Sequence, residues 1–345
     1  MTIQPAPGDT LDPREEHYRI PSPHSGLRLF LRHLPATLPS AESAAEAKVV
    51  LFVHGGTFPS ALSVAHRFDG RSWRDVLCAA GYDVWALDFH GFGALSDPHP
   101  EMSEAADRHP ALGRAEDASH QLEAAVRFIG GRYGAGRPIS IIAHSWGTMA
   151  AGRFAGRCPD LVDRLVLFGP IARRPGTADA PRLPAWKPVT LQDQWDRFVA
   201  DTPKHEAQVL LERHFQAWGE RYLGCDPGSC SRTPPAVKVP LGPIQDIYAA
   251  WAGDLVYDPG LIRAPVGIVR GAWDSMCTDA DANRLFDALT SSPLKRDVKL
   301  GHGGHLMHFE EGRYALYRET LAFLDGNDTV SGPAASGRSI AAGPA

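Results

Sequence analysis

Three residues far apart in the chain have the types and settings that acyl-transfer chemistry requires. Ser145 stands in Ile139-Ser-Ile-Ile-Ala143-His144-Ser145-Trp146-Gly147, where an apolar run runs straight into the serine and a helix is expected to follow. A serine hydroxyl is a poor nucleophile until a base removes its proton. A sharp strand-to-helix turn would hold it above a sheet, within reach of such a base. That turn needs small residues two before and two after the serine, and Ala143 and Gly147 occupy those positions. A serine at an ordinary helix N-terminus is the plainer alternative.

A base is available in Lys299-Leu-Gly-His302-Gly-Gly-His305-Leu-Met-His308-Phe-Glu310, a glycine-rich stretch between a short strand and the last helix. His305 is the candidate and His302 its main rival. Histidines at a spacing of three also invite a metal, but no carboxylate pattern with ligand spacing accompanies them. Neither a metal nor another cofactor is expected. Asp274, in Val269-Arg-Gly-Ala-Trp273-Asp274, lies just past a buried run. A carboxylate there can accept the second ring proton of the base and fix its tautomer. Asp279 and Asp281 are alternatives, although Thr278-Asp-Ala-Asp281 reads as a helix capping box. The fourth signal is Phe52-Val-His54-Gly55-Gly56-Thr57, which follows another apolar run. Acyl transfer needs backbone N–H groups aimed at a developing oxyanion, and those of Gly56 and Trp146 are the candidates. His54 itself is expected to be structural.

The elements that would carry these residues alternate. Val49–Val53, Tyr82–Leu87, Ile139–Ala143, Leu165–Phe168 and Val266–Arg270 are apolar runs of strand length. Trp73–Ala80, Ala115–Tyr133, Asp279–Leu289 and Glu311–Leu324 have helical stripes. Continuous apolar strands alternating with helices predict a mostly parallel central sheet with helices on both faces, an α/β fold. Glu16–Ile20 and Leu27–His33 read as a hairpin ahead of it. The alternation stops between residues 171 and 257. Two amphipathic helices are expected there, one on Leu191, Trp195, Phe198 and Val199, the other on Leu211, Phe215, Trp218 and Tyr222. A shorter helix is expected at Ile244–Ala252. The chain therefore divides into a loose lead-in (1–15), a core (16–170 and 258–325), a helical lid (171–257) and a disordered tail (326–345).

A net charge of −5 argues against nucleic acid as the partner, and no run is apolar enough to insert into a membrane. The N-terminus lacks the pattern of a secretory signal. Five scattered cysteines, Cys225 and Cys230 among them, fit a reducing cytoplasm. A small molecule is the expected partner, and the oligomeric state is left open. Of the eight tryptophans, Trp186, Trp195, Trp218 and Trp251 fall in the lid. With Thr57 they are candidates to line an apolar pocket.

The order Ser145, Asp274, His305, with His54-Gly-Gly and Leu87-Asp88-Phe-His-Gly91, resembles the α/β-hydrolase superfamily over roughly residues 16–325 apart from the lid. The resemblance implies a lid inserted after the strand ending at Phe168, a loop-fixing role for Asp88, and Ser96 one residue later than relatives carry their serine. It also implies that dehalogenases and epoxide hydrolases, which need an aspartate where Ser145 stands, are disfavoured. His54-Gly-Gly56 with Ser145-Trp-Gly147 is similar to the proline iminopeptidases, which carry proline at the position of Thr57 and glycine at that of His144. The expected activity is hydrolysis of a carboxylic ester, lactone or thioester of an apolar or aromatic molecule. An aminopeptidase or amidase, a carbon–carbon bond hydrolase and a non-catalytic ligand-binding relative are the alternatives.

Overall fold

The computed structural model describes residues 2–3, 11–24, 26–37, 48–134, 136–176 and 180–326. A sheet of nine strands runs in the order β1-β2-β3-β5-β4-β6-β7-β10-β11. In chain order these are β1 (Thr2–Ile3), β2 (Glu16–Pro21), β3 (Arg28–Leu34), β4 (Lys48–Val53), β5 (Tyr82–Asp88), β6 (Ile139–His144), β7 (Val162–Phe168), β10 (Val266–Gly271) and β11 (Lys295–Leu300). The run from β5 to β11 is parallel. The expected hairpin, β2 with β3, extends it antiparallel at one edge, and β1 is added outside β2.

Side chains alternate across a strand, and the buried strands use this to fill two cores. Leu51, Val53, Ile141, Ala143 and Leu167 point to one face, where α2 (Ala115–Tyr133) and α3 (Gly147–Arg157) cover them. Val50, Phe52, Ile142, Val166 and Phe168 point to the other, under α1 (Trp73–Ala79) and α8 (Arg313–Leu324). The chain passes from β4 outward to β5, then returns to the opposite side of β4 as β6. The sheet's direction of winding therefore reverses between β4 and β6. In sheets of this type the crevice at the carboxyl ends of such neighbours is where ligands bind. The loop after β4 carries Gly55 and Gly56, and the turn after β6 carries Ser145.

Residues 171–257 are not purely helical. They hold α4 (Leu191–Val199), α5 (Glu212–Leu223) and α6 (Gly242–Trp251), and also an antiparallel ribbon of β8 (Trp186–Thr190) and β9 (Ala236–Pro240). Pro188 and Pro240 interrupt both short strands, which hides their alternation from a periodicity test. α7 (Asp279–Ala288) begins on the expected capping box, Thr278 with Asp281. Among the described residues no helix is long and apolar enough to cross a membrane. All five cysteines are free. The expected tail beyond residue 326 lies outside the described residues.

The expected loose lead-in is corrected at its end. Leu11 to Glu15 are fixed in place, because Glu15 is a buried ionic node. Its carboxylate accepts hydrogen bonds from Arg74 Nη1 at 2.6 Å, from His17 Nε2 at 2.6 Å and from Arg32. Burial pushes the Glu15 carboxyl upward, but His17 and the two guanidiniums outweigh it and hold the group at about 2. Removing one member of a buried ion cluster leaves the others uncompensated, at a cost of about 3–5 kcal/mol. Glu15→Gln is expected to lower urea-unfolding stability by that amount near neutral pH. A carboxyl depressed on folding stabilises fully above its unfolded value, about 4.3, and the effect is lost as pH falls towards 2. The difference between wild type and Glu15→Gln should therefore shrink below pH about 4; a gap that widens on acidification contradicts the assignment.

Candidate active site

The turn after β6 is sharp. Ser145 has φ of 56°, a left-handed conformation that a side chain rarely adopts. Its amide donates to the Phe168 carbonyl at 2.9 Å, which pins the strained residue to the end of β7. Gly147 makes the turn possible. A Cβ there would lie 3.0 Å from the Val53 carbonyl oxygen and collide with that of His54. Ser145 is only 6% exposed, so its hydroxyl meets a restricted space rather than bulk water.

The His305 ring bridges the other two residues. Its Nε2 lies 2.7 Å from Ser145 Oγ, and its Nδ1 lies 3.0 Å from each carboxylate oxygen of Asp274. Asp274 is buried, and its Oδ1 also accepts the amides of Met276 and Cys277 at 2.9 Å. Those amides fix the carboxylate's orientation, so Nδ1 carries the proton and Nε2 is left as an acceptor facing the hydroxyl. Gly169, at the end of β7 with φ of 54°, leaves room for the pair. A Cβ there would stand 3.0 Å from both Asp274 Oδ2 and His305 Nδ1.

The neighbouring candidates go elsewhere. His302 is exposed, its ring stacked on Trp273 with centroids 5.4 Å apart. His308 is buried among Phe58, His144, Phe168 and Phe309, and burial holds it neutral. Asp279 pairs with Arg270 and Lys299 on the surface. Asp281 caps α7 and pairs with Arg174 and Arg284. His54 is structural: Nδ1 donates to the Gly55 carbonyl at 2.6 Å and Nε2 accepts the Phe89 amide at 3.2 Å. Asp88 fixes loops by accepting the Ser60 amide at 2.7 Å, and Ser96 donates to the Asp88 carbonyl at 3.1 Å.

The Gly55-Gly56 loop lies directly against the serine turn. A Cβ on Gly55 would approach Ser145 Cβ to 3.2 Å, and one on Gly56 would approach Trp146 Cβ to 3.7 Å. The Trp146 indole donates to Asp246 of α6 at 2.9 Å, and the same carboxylate accepts the Ala115 amide at the start of α2. The Asp246 carboxylate thus ties the residue after Ser145 to a core helix.

The four tryptophans expected to line a pocket divide. Trp218 is buried, donates to the Leu62 carbonyl at 2.9 Å and stacks on Tyr222. Trp195 packs edge-on to Phe215. Trp251 lies under Arg174, and Trp186 donates to the Glu104 carbonyl beneath Lys238. Trp218 also packs against Phe58, Phe198, Phe215 and Phe309, and none of the described ring or hydrogen-bond contacts of the four is with Ser145, Asp274 or His305. Thr57, directly after the Gly55-Gly56 pair, accepts Arg197 Nη2 at its hydroxyl at 2.7 Å.

Sequence reasoning missed the residues that hold the histidine. The His305 amide donates to Asp201, just past α4, at 2.7 Å. The His305 carbonyl accepts His144 Nε2 at 3.1 Å. His144 therefore carries its proton on Nε2, and burial keeps it neutral. Glu310 accepts the preceding amide, Gly304, at 3.0 Å, and burial with the nearby charges of Asp201 and Asp274 lifts its carboxyl to about 7. Three side chains from three segments thus clamp consecutive backbone groups around His305.

A family model described as the alpha/beta hydrolase fold matches residues 48–312. A search of curated protein sequences returns no match. Among solved structures, the chain is similar to the thioesterase domain from the curacin biosynthetic pathway, at 15% identity and a TM-score of 0.57, covering 90% of this chain and 99% of that one. It is similar to a thermophilic esterase from Thermogutta terrifontis, at 17% and 0.55, covering 90% and 98%. It is also similar to a haloalkane dehalogenase loop variant from Bradyrhizobium elkanii, at 18% and 0.55, covering 90% and 97%.

Proposed function

We propose that this chain, which belongs to the α/β-hydrolase fold family, is a serine hydrolase that cleaves a carboxylic ester of a small, largely apolar molecule through an acyl-enzyme. The observation that carries the reading is the single His305 ring within hydrogen-bond reach of both Ser145 Oγ and the Asp274 carboxylate. A serine in this position favours acyl transfer over the aspartate-dependent chemistry of dehalogenases, whose fold it shares.

Ser145 Oγ attacks the ester carbonyl carbon while its proton passes to His305 Nε2. Asp274 stabilises the resulting imidazolium through Nδ1–H. The carbonyl oxygen becomes an oxyanion, for which the Gly56 and Trp146 amides are the candidate donors. Collapse breaks the bond to the alcohol oxygen, which takes the proton from His305. Water then attacks the acyl carbon, giving its proton to His305, and the second collapse returns that proton to Ser145 Oγ and releases the acid. The buried histidine pair His144 and His308 stays neutral beside the base, so neither competes with it for the proton at neutral pH.

A panel of p-nitrophenyl esters run beside amino-acid p-nitroanilides tests the assignment. Ester turnover is expected to exceed anilide turnover by at least about 10²-fold in kcat/KM. Faster cleavage of proline or other amino-acid anilides would move the chain to the aminopeptidase reading.

A further inference from the structure

Helix α4 places one positive charge against the loop after β4, and among the described residues no acid is paired with it. Arg197, on α4, is half-buried, and its Nη2 donates to Thr57 Oγ1 at 2.7 Å and Gln194 Oε1 at 2.9 Å. Both acceptors are neutral. Among the described residues no carboxylate forms an ion pair with it, and the lid acids nearest in sequence are engaged elsewhere. Asp193 caps its own helix through Thr190, Asp196 accepts Gln192, and Asp201 holds the His305 amide. Among the described residues, both of its side-chain hydrogen bonds are made by Nη2, which leaves Nε–H and Nη1–H to other partners. Around it stand Phe58 and Phe198, its charge centre 5.8 and 5.2 Å from their ring centres. Burial draws its pKa down to about 10. It stays charged at neutral pH, and its charge helps to depress His144 and His308.

A shielded cation without a counter-ion is costly, and buried charges are ordinarily paired. This one touches Thr57, the residue directly after the Gly56 amide, so it faces the loop that would receive the substrate's carbonyl. We infer that Arg197 is the receptor for a carboxylate on the substrate, so that the ester cleaved is a half-ester or similar acyl compound with an apolar body and one anionic end. A carboxylate is favoured over a phosphate dianion because the described contacts offer one positive charge here and no second cation. The inference rests on the serine-hydrolase reading for the identity of the scissile bond, but not for the anion site itself.

The test compares two esters of equal length on the wild-type protein, mono-p-nitrophenyl glutarate and its neutral methyl ester, methyl p-nitrophenyl glutarate. Hydrogen bonds to a charged group predict a preference of roughly 10–100-fold in kcat/KM for the charged ester, carried mainly by KM. Arg197→Met should collapse that ratio to near one, whatever it does to the absolute rates, and Arg197→Lys should restore part of it. A latch that merely closes the lid through Thr57 would lower both esters together and leave the ratio standing. If Arg197→Met does not fold, the wild-type ratio decides alone: a value at or below one, with Ser145 still labelled by a fluorophosphonate, overturns the anion site and leaves the hydrolase reading intact. A phosphate-bearing ester preferred over the glutarate would likewise overturn the carboxylate assignment. If neither ester is cleaved and Ser145 is not labelled, the hydrolase reading falls. Monomethyl glutarate binding, by calorimetry on wild type and Arg197→Met, then tests the site by itself: loss of binding in the variant upholds it and equal binding overturns it.

Discussion

Ser145→Ala is expected to lower kcat on the best p-nitrophenyl ester by roughly 10⁴- to 10⁶-fold while leaving circular dichroism unchanged. The upper figure is the loss seen when a comparable serine nucleophile is removed elsewhere. The residual rate reflects binding and oxyanion contacts that survive the substitution. The fold should tolerate alanine because the left-handed backbone at this position is already held by the Ser145 amide to Phe168 bond and by the space at Gly147. Only the hydroxyl and its 2.7 Å contact with His305 are lost. Hydrolysis within tenfold of wild type would remove Ser145 from the mechanism.

Asp274→Asn should cost about 10⁴-fold in kcat, by analogy with the same change in serine proteases, and the geometry gives a specific reason. The Met276 and Cys277 amides both donate to Oδ1. An asparagine would keep its oxygen there and turn its NH₂ towards His305 Nδ1. That nitrogen would then have to accept, which moves the ring proton to Nε2. A protonated Nε2 cannot take the proton of Ser145. The surface and capping roles of Asp279 and Asp281 predict losses of less than about tenfold for Asp279→Asn and Asp281→Asn, measured in the same assay. A reversed ranking would identify a different acid.

The juxtaposed Ser145, Asp274 and His305 were legible because each sits in a local pattern: a buried strand breaking into Ser145-Trp-Gly147, a strand end before Asp274, and a glycine pair before His305. Their chain order supplied the rest. The residues that hold them were not legible, because their partners are distant in sequence. Asp201 meets the His305 amide across 104 positions, and His144 meets the His305 carbonyl across 161. Arg197 reads in the sequence as one polar residue on an amphipathic helix, and only the fold brings it to Thr57. The same holds at the N-terminus. Polar composition made residues 11–15 look loose, yet Glu15 is fixed by arginines 17 and 59 positions away. The β8–β9 ribbon failed for a different reason, since its prolines erase the alternation on which strand recognition depends. The aromatic content of residues 171–257 was visible as composition alone. Trp218 is buried in ring-on-ring packing with Phe58, Phe198 and Phe309, so its count carried little information about a ligand.

The most direct test of the central claim is peptide mapping by mass spectrometry after treating the native protein with a fluorophosphonate. The account predicts one adduct, on the peptide containing Ser145, absent from Ser145→Ala and from the protein denatured before treatment. An unmodified Ser145 peptide in protein that hydrolyses esters, or an adduct on any other residue, would contradict it.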